Sequence, residues 1–205
     1  GDQPDGADEV GIVDRTGHPR EFEEQVRDRI MALSRSHDLL VSSDWSGASL
    51  VDLLQEHLNP FGHDEQISVS GPMVTLQPNA VQHLGMALHE LATNSSKYGA
   101  LAVGLGSISI NWHIASSTAG RREFEITWEE VIPETASGGE PDAPRRGFGS
   151  VVLQRVAPQA LNGSAKLEYA PGKVRWTLTS PVESSLVCPL NERMMAEAAG
   201  APATN

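Results

Sequence analysis

The stretch LQPNAVQHLGMALHELATNSSKYGA, residues 76–100, decides how the rest of the chain is read. At 100° per residue, Leu84, Leu88, Leu91 and Ser95 fall in one narrow stripe, the pattern of a helix that buries one side. Pro78 stands near its start and Gly99 near its end. That is the asymmetry expected of helix termini, because the first turn has N–H groups to spare and the last needs a permissive backbone. A second row, Glu90, Asn94 and Lys97, gathers within about 60° on a different face.

Upstream, EFEEQVRDRIMALSRSHDLL (residues 21–40) places Phe22, Val26, Ile30, Leu33 and Leu40 at helical intervals with charges between them, which predicts a long amphipathic helix. Ser46 stands ready to cap a second helix through ASLVDLLQEHL, stopped by Pro60 and Gly62. QISVSG and MVTL then read as a short strand pair. Downstream, SISINWHI and RREFEITWEE alternate apolar and polar residues across ASSTAG, so an antiparallel hairpin is expected. VVLQRVAPQAL reads as a short helix, and AKLEYAP with GKVRWTLTSP as a second hairpin turning at Pro171 and Gly172. Hairpins and helices segregated in this way give an α/β fold, a two-layer sandwich with a mostly antiparallel sheet and helices on one face. The expected divisions are a loose arm over 1–20, a helical segment over 21–60, an α/β core over 61–183 and a tail over 184–205 that holds one further helix, NERMMAEAAG.

Composition narrows the partners. The 205 residues suit one domain with an appendage, and 15 Lys+Arg against 27 Asp+Glu leave a net charge of −12, which repels nucleic acid and anionic lipid. No run approaches the ~20 apolar residues of a membrane-spanning helix. A single cysteine, Cys188, permits no internal disulfide, so a reducing, cytoplasmic setting is expected. Gly rather than Met at position 1 suggests tag removal or excision from a longer protein.

Three groups of residues can carry chemistry. In the first, Asn94 offers an amide oxygen to Mg²⁺, Lys97 a charge to phosphate, and Glu90 a carboxylate that can take a proton. The same row, read alone, also suits a solvated helix face. The second is GFGS, residues 147–150, where Gly147 and Gly149 flank one residue ahead of a helix start and would let a phosphate approach closely, or would simply make a turn. A Pro/Gly-rich loop over 131–147, carrying Arg145 and Arg146, precedes it and reads as a lid. The third is Trp128-Glu129-Glu130, where a period of 2 puts Trp128 and Glu130 on one side and Glu129 on the other.

Together, HELATNSSKYGAL, WEE, RRGFGSVVLQRV and NGSAKLEYAPGKVRWTLTSP resemble the catalytic ATP-binding domain of the HWE family of sensor histidine kinases, a branch of the Bergerat-fold ATPases. The family's signature His and Trp-x-Glu pair match His89, Trp128 and Glu130. SRSHDLL and DWSGASL resemble the second helix of its dimerisation and phosphotransfer domain and the link that follows.

The resemblance implies Mg·ATP held between the asparagine helix and the lid, with the γ-phosphate passed to a histidine and then to a response regulator. It implies Asn94 as Mg²⁺ ligand and Glu90 as base. Lys97, Tyr98, Arg146, Gly147, Phe148, Gly149 and Ser150 would lie along the nucleotide, and Glu130 would read adenine. It also implies a homodimer through the N-terminal helices. Two features depart from the family pattern. Residues 1–20, with only His18 beside Gly17 and Pro19, hold no counterpart of the phosphoacceptor helix, and VIPE follows Glu130 where glycines are usual. These departures leave room for a non-catalytic interaction or phosphotransfer module, or a serine kinase acting on a partner protein. His37 is read as structural, and for His89 a structural role stands beside a chemical one.

Overall fold

The computed structural model describes residues 19–62, 64–116, 120–133 and 148–187. Residues 1–18 of the arm expected over 1–20, most of the lid with Arg145, Arg146 and Gly147, and the tail beyond 187 with its expected helix lie outside the described residues.

Helix α1 runs Pro19–Ser42, two residues earlier than expected, with Pro19 at the first turn, where a missing N–H costs nothing. Its inner side sets Ala32, Ser36 and Leu40 against the core, while Val26, Ile30, Met31, Leu33 and Val41 stay exposed. The apolar stripe read from sequence therefore divides, and Leu40 alone of its described side chains is buried. After α1 the chain reverses through Asp44 and Trp45, both at positive φ (52° and 60°), and His37 packs edge-on to the Trp45 indole with ring centroids 5.1 Å apart.

Strand β1 (Ala48–Ser49) leads into α2 (Leu50–Leu58). The cap of α2 is Ser49, whose hydroxyl accepts from the Val51 N–H at 3.2 Å, a contact of a type that contributes about 1 kcal/mol. Ser46, the expected cap, instead donates to the Ser43 carbonyl at 2.7 Å. It stands three residues before the observed cap, because Gly47 and the two-residue strand β1 come before the helix.

Strands β2 (Ile67–Ser70) and β3 (Thr75–Leu76) do not pair with each other as expected. β2 runs parallel to β4, and β3 pairs antiparallel with β1. Helix α3 (Pro78–Tyr98) carries Pro78 in its first turn and ends at Gly99. The two hairpins follow as predicted, β4 (Ser107–Ser116) with β5 (Arg122–Val131) and β6 (Ser164–Ala170) with β7 (Lys173–Pro181), the second turning through Gly172 at φ +65°. Between them, α4 (Phe148–Val151), a π-helical turn (Val152–Val156) and α5 (Ala157–Ala160) run on from one another. The short helix α6 (Val182–Ser185) ends the described chain.

The main sheet has the order β2-β4-β5-β7-β6, antiparallel except at the β2 edge. Alternation puts Ile108, Ile110 and Trp112 of β4, Phe124, Ile126 and Trp128 of β5, and Trp176 and Leu178 of β7 on the inner face. Trp128 sits directly opposite Trp176 in register. These side chains meet Leu50, Leu53 and Leu54 of α2 and Leu84 and Leu88 of α3 in one core. The outer face is polar, as an antiparallel sheet with one solvated side permits. There Lys173 and Arg175 hold the Glu129 carboxyl below its usual range by hydrogen bonding. Trp176 Nε1 donates to the Leu153 carbonyl at 3.0 Å, which ties the helix after the lid to the sheet. No helix among the described residues is long and apolar enough to cross a membrane.

Candidate functional site

The stripe on α3 is buried as predicted: Leu84, Leu88, Leu91 and Ser95 all face the core. The second row runs along the edge of that packing. Glu90 is almost fully enclosed, whereas Asn94 and Lys97 are exposed and Tyr98 is 77% exposed. Gly149, 59 residues after Glu90, comes back to this row. A Cβ placed on Gly149 would lie 2.6 Å from Glu90 Oε2 and 3.9 Å from Asn94 Nδ2. Only a glycine admits that approach without displacing the carboxylate. The asparagine helix and the start of α4 therefore converge at Glu90, Asn94 and Gly149. Phe148 stands half exposed at the head of α4 and Ser150 one position beyond Gly149.

Sequence reasoning missed a third contributor. Arg29 of α1 reaches Glu90 as a fork, Nε donating to Oε1 at 2.6 Å and Nη2 directed at Oε2 at 3.4 Å. Its guanidinium also lies 4.6 Å from the centroid of the Phe148 ring, a cation–π distance. The pair is 61 residues apart in sequence, and no local pattern announces it.

The Trp-x-Glu pair faces inward from β5, as the period of 2 requires, but Glu130 does not present its carboxylate to an open cleft. The residue is 3% exposed, and both oxygens are engaged by the chain itself. Trp128 Nε1 donates to Oε1 at 3.0 Å, while the Ser95 hydroxyl (2.9 Å) and the Ala100 backbone N–H (3.0 Å) donate to Oε2. Ser95 Oγ in turn accepts from the Leu101 N–H at 3.2 Å. Gly99 fits here because any side chain would overlap Glu130 Oε2. Gln66 adds a second brace, its Nε2 donating to the carbonyls of Val103 at 2.9 Å and Gly106 at 2.7 Å.

Glu130 is thus the buried acceptor that pins the exit of α3 to the sheet and fixes the turn carrying Asn94, Lys97 and Tyr98. Three donors of its own chain surround the carboxylate, as a buried polar group requires.

His89, the remaining signature residue, is buried beneath the same helix, 6.4 Å from the Phe61 ring. Its Nδ1 has no hydrogen-bond partner among the described residues. Burial lowers its pKa, opposed by the charges of Glu90 and Asp28 and assisted by Arg35 and Arg29. Beside it His57 of α2, fully buried, pairs through Nε2 with Ser36 Oγ of α1 at 3.0 Å. Gly85 makes room for that contact, since a Cβ there would overlap the Ser36 hydroxyl. His57 is pushed down to about 3, first by desolvation and then by the neighbouring His89 and Arg35 charges.

With this geometry in hand, known proteins offer a comparison. Residues 12–73 match the family model described as HWE histidine kinase. A blue-light-activated histidine kinase of Rhizobium johnstonii is 34% identical over 156 residues, covering 76% of this chain and 43% of that protein. One from Brucella ovis is 32% identical over 170 residues, 82% of this chain and 34% of that protein. The chain thus spans less than half the length of these relatives. Among solved structures, the histidine kinase domain of the Erythrobacter litoralis EL346 blue-light activated histidine kinase superposes with a TM-score of 0.52 at 17% identity, covering 77% of this chain and 74% of that one, a likeness of fold. The matched segment takes in α1, α2 and β2, and the relatives extend the similarity over most of the described residues: the chain belongs to the HWE histidine kinase family.

Proposed function

We propose that this chain is the ATP-binding catalytic part of a sensor histidine kinase, which passes the γ-phosphate of Mg·ATP to a histidine and onward to a response regulator. The convergence of Glu90, Asn94 and Gly149 carries the reading. An exposed amide beside a glycine whose Cβ would press on the Glu90 carboxylate is a place where a phosphate oxygen can come close and a hard cation can find oxygen. Bound there, Mg²⁺ would neutralise charge on the phosphate chain, with Asn94 as its protein ligand. Lys97 supplies positive charge from the same turn, and Glu90 is placed to orient a nucleophile or take its proton. Glu130, Gly99 and Gln66 act at one remove by fixing that turn. Tyr98, Phe148 and Ser150 border the same place, and Arg146 and Gly147 would join them from the lid.

Calorimetric titration with Mg·ATP tests this. The parent chain is expected to bind, and Asn94→Ala to bind at least tenfold more weakly with its unfolding midpoint unchanged. Equal affinities in the two would refute the site. A second reading, a non-catalytic module of the same fold, is favoured by one observation, the engagement of Glu90 by Arg29. Lack of binding in the parent at millimolar nucleotide would select it.

The exposed face of α1 calls for a cover. Val26, Ile30 (59% exposed), Met31 and Leu33 form an apolar strip with Glu23 and Arg27 at its side. A second copy supplies the complementary strip, the usual closed solution for a self-matching face. Sedimentation is expected to show a dimer, and Ile30→Glu a monomer with an intact helix signal. A parent that sediments as a monomer would exclude this arrangement.

A further inference from the structure

We propose that Arg29 is a phosphate-binding residue, delivered to the nucleotide site by α1 and held there by Glu90 until phosphate arrives. The inference rests on the nucleotide-site reading above and adds to it a residue from the helical segment before the α/β core.

Three observations carry it. The first is position. The guanidinium touches Glu90, whose Oε2 is the atom nearest Gly149, and it lies over the ring of Phe148, so it occupies the very junction of asparagine helix and α4. The second is availability. The Arg29 side chain keeps 25% of its surface exposed, and only two of the five N–H donors a guanidinium carries are directed at Glu90. The remaining donors suit a fork-shaped contact with phosphate oxygens, the geometry that makes arginine the common choice for such anions.

The third is charge. The chain carries −12 overall, and Glu90 adds a carboxylate at the point where the phosphates would lodge. Unneutralised, that carboxylate repels the ligand, and Arg29 is the cation in contact with it.

Helix α1 is also held by Ala32, Leu40 and the Ser36–His57 hydrogen bond, so the ion pair is not its sole fastening, although Glu90 is enclosed and loses a cation when Arg29 is removed. Glu90 holds the guanidinium through Nε and Nη2, so the fork is already oriented when the anion enters.

The experiment is a calorimetric comparison of the parent chain with Arg29→Ala, Arg29→Gln and Arg29→Lys, using Mg·ATP, Mg·ADP and adenosine as ligands. Arg29→Ala and Arg29→Gln are expected to weaken ATP and ADP at least tenfold and to leave adenosine unchanged, with Arg29→Lys recovering part of the loss. Helix signals matching the parent's establish that the variants fold, and urea midpoints measure the stability lost with the ion pair. If one variant unfolds, the other carries the comparison.

A parent that binds ATP, together with variants that bind it as well or better, overturns the role of Arg29 and leaves the nucleotide site standing. Equal weakening of adenosine and ATP overturns it too, since the defect is then one of shape. A parent that binds no ATP overturns the site and this inference together.

Discussion

Replacing Glu130 with alanine is expected to lower the free energy of unfolding by about 3–5 kcal/mol, because it strands the Trp128 indole N–H, the Ser95 hydroxyl and the Ala100 N–H without an acceptor in a buried site. Each unmet buried donor costs roughly 1–3 kcal/mol, and the Ser95 hydroxyl can rotate to recover part of its share. Against a typical domain stability of about 5–15 kcal/mol, this loss shifts a urea unfolding curve far to the left.

Glu130→Gln should fall between the two, since its carbonyl still accepts while its amide points two hydrogens at groups that are themselves donors. Trp128→Phe removes one donor and keeps the aromatic volume, so about 1 kcal/mol is expected. Tryptophan fluorescence follows the first two transitions directly, and circular dichroism follows the third.

The experiment also separates two meanings of the family signature. If Glu130 were an adenine contact, Glu130→Ala would unfold at the parent's urea concentration and lose nucleotide affinity. As the pin of the α3 exit, it loses stability first. An unshifted midpoint would therefore return the residue to the ligand.

The sequence made some of this visible and concealed the rest for identifiable reasons. Helix α3 and both hairpins were readable because their information is local: periods of 3.6 and 2, Pro78 and Gly99 at the helix ends, Gly172 at a turn that needs positive φ. The inward direction of Glu130 was equally readable from its parity with Trp128. That parity held a further clue, since a carboxylate on the core face of a sheet must find donors nearby.

What escaped were partners chosen across long separations. β2 pairs with β4, which lies some forty residues on, rather than with the neighbouring β3, which pairs with β1. The Ala100 N–H that completes the Glu130 shell is a backbone group with no side-chain signal at all. Arg29 looked like one more charge on an amphipathic helix until the packing of α1 on α3 brought it to Glu90. Ser36 and His57 were invisible for the same reason, and Gly85, which permits their contact, gave only a small gap in a helical pattern.

Those buried histidines make stability depend on pH in a direction that can be stated in advance. His57 titrates near 6.5 when unfolded and at about 3 when folded, so between those values the unfolded chain binds the proton that the folded chain refuses. Stability is therefore fully present above about pH 6.5 and is lost as pH falls toward 3. At roughly 1.4 kcal/mol per pH unit, acidification from pH 7 to 5 should remove about 2 kcal/mol through His57 alone.

The groups facing His57 reinforce the sign. Desolvation among the three helices leads, and the charges of His89 and of Arg35 on α1 add to it. His89 is lowered in its turn, so it contributes in the same direction, although Asp28 and Glu90 moderate it. His57→Gln keeps a side-chain group able to bond Ser36 Oγ and removes the titration. Urea unfolding of the parent at pH 7, 6 and 5 should show midpoints falling steeply, while the variant, less stable at pH 7, should fall by about 2 kcal/mol less over the same interval. Parallel declines in the two proteins would mean that His57 takes up its proton without leaving the helix junction, and the loss would then belong to other groups.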